Sequence, residues 1–111
     1  MNKSYLLTNK NASKKRDGRV VIYNPSKIEQ AILNAMRSVG AENAKKATTI
    51  TGKVDEELNR EFFSIDLVPT IEDIQDIVER QLMLHKIPDV AKAYILYRDL
   101  HNRMRNINNL L

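Results

Sequence analysis

The chain has no cysteine and no tryptophan, and only 5% of its 111 residues are aromatic. Without cysteine it can form no disulfide, no zinc ribbon and no thiol nucleophile of its own. Its two histidines, His85 and His101, fall in different predicted helices and have no acidic partner at ligand spacing, so no metal site is expected. No 18-residue apolar run exists, which excludes a transmembrane helix on length. The first residues hold a single apolar run, Tyr5-Leu6-Leu7, too short for a secretory signal. Residues 1–11 therefore read as a flexible leader, and the lack of signal and disulfides suggests a cytoplasmic location. Three glycines and three prolines punctuate the chain, with no internal repeat or low-complexity stretch.

What is present is 42% apolar residues, mainly Ile, Leu, Val and Ala, in a length that suits one domain with a modest core. The net charge of +4 is unevenly spread. Residues 1–27 carry seven cations against one anion, Asp17, giving +6, so the remaining 84 residues sum to −2. A charge gathered at one end implies a localised anionic partner; coating of nucleic acid usually spreads it along a helix face.

Residues 12–16 and 19–23 read as two short strands, the second rich in the β-formers Val20, Val21, Ile22 and Tyr23. Asp17-Gly18 between them signals a two-residue hairpin of type I′. Asn24 can cap the next helix, with Pro25 at its first position. That helix, about 25–39, has one apolar stripe through Ile28, Ala31, Ile32, Ala35, Met36 and Val39, and Gly40 stops it. A second helix, about 41–63, runs through Ala44, Ala47, Thr51, Val54, Leu58 and Phe62, with Gly52 weakening it. Ile65 to Pro69 is a linker or a short third strand. Thr70 opens a third helix with Glu72 and Asp73 in its first turn. Its stripe is Ile71, Ile74, Ile77, Val78 and Leu82. Pro88 starts a fourth, with Val90, Ala91, Tyr94, Ile95, Tyr97 and Met104 on its stripe. The expected fold is α+β, mostly α: a small β-hairpin or three-stranded sheet capping a four-helix bundle, because each single-striped helix needs the others.

The hairpin and the first helix turn bring Lys15, Arg16 and Lys27 toward one small volume, suited to a polyphosphate. The plain alternative is a solvated basic hairpin, since strand lysines often serve only as edge protection. Asn24 has two competing roles, cap and ligand contact. Arg98 and His101 share a helix face, and Arg98 could equally pair with a carboxylate such as Asp99 or Glu79. Asp73, Asp76 and Glu79 have no nucleophile or metal to work with; Asp76 and Glu79 read as a solvated face, and no catalytic residue is expected.

Several strings occur together in order. They are Lys-Arg-Asp-Gly-Arg at 15–19, Val-Val-Ile-Tyr at 20–23, Asn-Pro-Ser-Lys-Ile at 24–28, Ala31-Ile32, Ile-Gln-Asp-Ile-Val-Glu at 74–79, and Val-Ala-Lys-Ala-Tyr-Ile-Leu-Tyr-Arg at 90–98. In that order and spacing they resemble the ATP-cone domain, found at the N-terminus of ribonucleotide reductases and in a related transcriptional repressor. The resemblance implies an allosteric sensor of ATP or dATP, with Mg²⁺ sharing the phosphate charge. ATP would favour the active reductase and dATP an inhibited one, commonly through altered oligomerisation. Carried over by position, Lys15, Arg16 and Lys27 would contact phosphates and Asn24 ribose or phosphate. Ser13 would offer backbone hydrogen bonds to adenine, and Ile22, Ile28 and Ile74 would wall the base. Arg98 and His101 would complete the phosphate end, and Gln75 sits where some members place a nucleotide contact.

Two departures stand out. Position 101 is often a stronger cation in the family, and Val21 lies in the strand where some members carry an acid that reads the adenine amino group. The absence of cysteine argues against a complete repressor and a complete catalytic subunit alike. The expected organisation is therefore a leader at 1–11, an ATP-cone domain at 12–106, and at 107–111 the start of a linker to a catalytic region, of the anaerobic class. Competing readings are a basic nucleic-acid-binding or transcription-regulator module and a ligand-free helical docking domain. The hairpin's single ring, Tyr23, counts against the first.

Overall fold

The structure is a computed structural model and describes residues 11–110. The expected leader lies outside the described residues apart from Asn11. Strands β1 (Ala12–Lys14) and β2 (Val20–Ile22) pair antiparallel, with Ser13 opposite Val21. Helices α1 (Pro25–Ser38), α2 (Ala44–Glu61), α3 (Ile71–Leu84) and α4 (Pro88–Leu110) follow, with one 3₁₀ turn, Phe63–Ile65, after α2. Each helix packs on its sequence neighbour, and α4 closes the ring against α1, so α1 and α3 are diagonal. Short connections make neighbours antiparallel. The N-termini of α1 and α3 thus share one end of the bundle, and the hairpin sits at that end.

Local chemistry sets the boundaries. The Asn24 side chain accepts from the Ser26 amide at 3.0 Å and opens α1. Asn43 accepts from Lys46 at 3.0 Å, which moves the start of α2 from the expected 41 to 44. Thr70 and Asp73 form a reciprocal capping box on α3, at 2.9 and 3.0 Å. Helix α1 ends in a Schellman motif, with Gly40 at φ 69° and the Ala41 amide bonding the Met36 carbonyl at 2.8 Å. Helix α3 ends the same way on Lys86, at φ 58°, without the glycine that marks such ends in sequence. Helix α4 runs on to Leu110, past the expected domain end at 106.

Two local expectations are corrected. The hairpin turn is not type I′. Arg16 and Asp17 keep negative φ and only Gly18 is left-handed, at φ 91°. The Gly18 amide bonds the Lys15 carbonyl at 2.9 Å and the Lys15 amide bonds the Arg19 carbonyl at 2.8 Å, a turn that ends in a glycine bulge. Asp17 prefers this arrangement because its carboxylate accepts from the Arg19 amide (3.0 Å) and guanidinium (2.7 Å). The possible third strand shrinks to one parallel bridge, Lys14 to Thr70, with the Lys14 amide bonding the Pro69 carbonyl at 2.9 Å. The 3₁₀ turn and left-handed Asp66 (φ 59°) curl the chain before it, and Pro69 has no amide to extend it.

The core is the meeting of the four stripes: Ile28, Ile32, Ala35 and Met36; Ala47, Ile50, Val54 and Leu58; Ile74, Ile77, Val78 and Leu82; Val90, Ala91 and Tyr94. Ile95, Val39 and Met104, expected on stripes, are exposed because they lie at stripe edges or beyond the facing helix. Glu57, buried at 3% exposure within the apolar face of α2, is absent from the sequence stripe. Its carboxylate accepts from Gln81 Nε2 at 2.8 Å and pairs with Arg80, both on α3. The pair of helices is thereby locked in register by a polar contact as well as by packing. Gln81→Leu leaves a buried carboxylate oxygen without its donor and is expected to lower unfolding stability by about 1–3 kcal/mol in chemical denaturation. An unchanged denaturation midpoint would show that Arg80 alone satisfies Glu57.

Candidate functional site

Four elements meet at the hairpin end: the hairpin loop, the first turns of α1 and α3, and the later turns of α4. The hairpin is held there on both sides. On one, the Lys14 amide bonds Pro69 and Arg16 reaches Glu72 of α3 at 3.7 Å. On the other, the Tyr23 hydroxyl bonds Asp55 of α2, and its ring lies 5.4 Å from that of Phe63. Burial, then the Asp55 carboxylate, raises the Tyr23 pKa above the ordinary tyrosine value, so the hydroxyl stays protonated as a donor.

The cations divide by their company. Arg19 is tied to Asp17 within the turn and Arg16 to Glu72. Lys15, half-buried, and Lys27, exposed in the first turn of α1, form no ion pair among the described residues. The first turn of α1 holds no acid, whereas that of α3 holds Glu72 and Asp73. Of the two helix N-termini at this end, α1 therefore has the field an anion would meet favourably. Asn24 resolves its two roles by using different ends: its oxygen caps α1, which leaves the amide NH₂ as a donor.

The other expected residues fall as follows. Ser13 is buried and stands opposite Val21. By the alternation of an antiparallel ladder its own amide and carbonyl turn toward β2, since Asn11–Tyr23 and Lys15–Arg19 are the bonded pairs on either side. Its hydroxyl has no hydrogen-bond partner among the described residues. Ile28 and Ile74 come together in the core cluster. Ile22 does not join them: it is 64% exposed and lines a separate cleft of about 400 Å³ with Tyr23, Asp55 and Phe63. Gln75 is buried at 9% exposure, and its Oε1 has no hydrogen-bond partner among the described residues.

Arg98 takes the ion-pair alternative. It donates to Asp76 and Glu79 of α3, both at 2.9 Å. Burial opposes its charge, but the two carboxylates outweigh it and raise its pKa. Asp76 and Glu79 are thus partners of α4, not only a solvated face; Asp99, the other candidate partner, pairs with Arg103 instead. His101 is exposed and packs on the Tyr97 ring at 4.2 Å, while Arg98 pairs with α3. Sequence reasoning missed Glu72, Asp55 and Asn102, whose Oδ1 is buried and unpartnered. None carries a motif of its own, and each gains meaning only from the helix opposite.

Among the described residues no group of three or more His, Asp or Glu could hold a metal ion, and no helix is long and apolar enough to cross a membrane. Tyr23, engaged by Asp55 and Phe63, offers no free stacking platform for a nucleic-acid base.

The fold is a small basic hairpin over one end of a four-helix bundle, with Lys15 and Lys27 in no ion pair among the described residues. The chain belongs to the ATP-cone family, whose model, described as an ATP cone domain, matches residues 14–103. It is 40% identical over 102 residues to a vitamin B12-dependent ribonucleoside-diphosphate reductase of Thermoplasma acidophilum, covering 87% of this chain and 13% of that protein. It is 38% identical over 103 residues to the ribonucleoside-diphosphate reductase subunit alpha of Chlamydia trachomatis, covering 83% and 10%. Against the anaerobic ribonucleoside-triphosphate reductase of Salmonella typhimurium it is 36% identical over 89 residues, covering 80% and 12%. The chain thus spans about one eighth of the first of these relatives, and reductases of three kinds match it to a similar degree.

The Tyr23–Asp55 contact has a pH signature. A hydroxyl whose folded pKa is raised contributes stability that is full below the unfolded value, about 10, and is lost as pH rises beyond it. Thermal stability is expected to fall across about pH 9 to 11, and Tyr23→Phe to flatten part of that fall, with buried Tyr94, raised likewise by burial, supplying the rest. Identical profiles for wild type and Tyr23→Phe would mean that the hydroxyl is solvated.

Proposed function

We propose that this domain is an allosteric sensor of ATP and dATP that controls the activity of a ribonucleotide reductase and hence deoxyribonucleotide synthesis. The observation that carries the reading is that Lys15, at the hairpin turn, and Lys27, in the acid-free first turn of α1, form no ion pair among the described residues. A triphosphate carries about four negative charges and is held best by charge-assisted hydrogen bonds. Lys15, Lys27, the Asn24 amide and, on exchange from Glu72, Arg16 are the donors available at this end. Mg²⁺ accompanies the triphosphate and takes up the remaining charge. Ile28 and Ile74 wall the base, with Ile22 at the rim, while Ser13 and Gln75 supply polar contacts to the nucleoside. Arg98 and His101 reach the phosphate end only by leaving Asp76 and Glu79 or the Tyr97 ring, so their engagement is part of a response, not of a ready-made cradle.

Residues 12–106 form the sensing domain, and the chain beyond leads to the catalytic region of the parent reductase. The parent is an oxidoreductase, and an anaerobic ribonucleoside-triphosphate reductase is one of the kinds that fit. ATP and dATP differ by one hydroxyl. Opposite effects on activity therefore require two helix arrangements that the two nucleotides favour unequally, with a coupling of about 1–3 kcal/mol, read out as a change in oligomeric state.

Calorimetric titration tests the site. Lys15→Ala and Lys27→Ala are each expected to weaken both ATP and dATP by about tenfold or more, the loss of one charge-assisted contact. Unchanged affinity in both variants would remove the phosphate site from this end of the bundle. A thermal shift with ATP, dATP, GTP and dCTP side by side reads base selectivity in the same preparation.

A further inference from the structure

Two polar atoms are buried with no hydrogen-bond partner among the described residues: Gln75 Oε1 and Asn102 Oδ1. They lie on different helices, yet helix geometry brings them to one place. Arg98 spans α4 to α3 and bonds both Asp76 and Glu79. Asn102 is four residues further along α4 on the Arg98 face, about 6 Å nearer the hairpin at 1.5 Å per residue. The same step back along antiparallel α3 runs from Glu79 to Gln75. Gln75 in turn lies between the core stripe of α3, with Leu82, and the Glu79 edge that meets α4. Positions 75 and 102 are therefore at similar heights on the facing sides of α3 and α4, one step from the Arg98 ion pairs toward the hairpin end.

A buried carbonyl oxygen without a donor is costly, and such groups are rare in native structures. The contrast with Gln81 sharpens the point. It stands on the same helix, equally buried, and its amide is spent on Glu57. Among the described residues, no side chain plays that part for Gln75 Oε1 or Asn102 Oδ1.

We propose that Gln75 and Asn102 form a paired acceptor subsite that receives hydrogen-bond donors from the nucleoside part of the bound nucleotide. This rests on the nucleotide-sensing reading above and adds Asn102, with a defined polarity, to it. The unpartnered oxygens accept donors, which the nucleoside offers and the phosphates do not, so the phosphates are left to Lys15 and Lys27. The two donors that distinguish the relevant nucleosides are the 2′-hydroxyl and the 6-amino group, and the subsite receives one of them. If the 2′-hydroxyl is the one received, the subsite separates ATP from dATP. If it is the amino group, the subsite replaces the base-reading acid for which β2 has Val21.

The test is calorimetric titration of wild type, Asn102→Leu and Asn102→Ser with ATP, dATP and purine riboside triphosphate, which lacks the 6-amino group. Asn102→Leu is expected to weaken ATP about fivefold to tenfold, a typical worth of one hydrogen bond. That penalty is expected to vanish for whichever analogue lacks the received donor, and Asn102→Ser to recover part of the loss. Without ligand, Asn102→Leu is expected to keep or raise the melting temperature, because it removes an unsatisfied oxygen at nearly constant volume. Equal weakening of all three nucleotides, no weakening of any while wild type binds ATP, or a marked fall in ligand-free melting temperature would each overturn the subsite. A wild type that binds none of the three, with Lys15→Ala no different, would instead bring down the nucleotide-sensing reading and the subsite with it.

Discussion

The docking of the hairpin onto the bundle is the contact on which everything functional depends. Two strands of three residues each have no independent stability in water. Their position is set by the Lys14 amide on the Pro69 carbonyl and by Tyr23 on Asp55 and Phe63. These contacts fix the hairpin relative to α2 and to the entry of α3, while β2 leads through Asn24 directly into α1. Three of the four helices are thus tied to a turn only five residues long.

Charge is sorted around that junction. The acids at this end sit on α3, where Asp73 completes a capping box and Glu72 meets Arg16. The N-terminus of α1 has none, and it has Lys27. Further along the seam Arg98 is held by two carboxylates. Arg16 and Arg98 are paired with α3 carboxylates, whereas Lys15 and Lys27 pair with no carboxylate among the described residues. A polyanion entering here would meet two ready cations and then compete for two occupied ones. Such competition is the kind of differential contact by which a ligand can favour one helix arrangement over another.

Most of the architecture was legible in the chain. The stripes of Ile28, Ile32 and Met36 and of Ile74, Val78 and Leu82 needed only helical periodicity, and Asn24-Pro25 and Thr70 marked helix starts by local hydrogen bonding. Boundaries slipped where two signals competed. Asn43 caps α2 and displaces its start, and Lys86 adopts a left-handed conformation that sequence would assign to glycine. The turn type was misjudged because Asp-Gly favours type I′ only when the aspartate is free, and here Arg19 engages its carboxylate. At the site, Lys15 and Lys27 stood out as local charge, but the occupation of Arg98 by Asp76 and Glu79 depends on residues about twenty positions away.

The sequence alone determined that four amphipathic helices and one basic hairpin would form, since those outcomes follow from contacts between residues a few positions apart. The packing of the elements settled which cations find a carboxylate, that Ile22 is exposed while Ile28 and Ile74 are buried, and that Gln75 Oε1 and Asn102 Oδ1 are each buried without a partner among the described residues. Periodicity states which face of a helix turns inward. It does not state which residue of the opposite helix waits there, because that depends on the relative height and rotation of elements packed side by side.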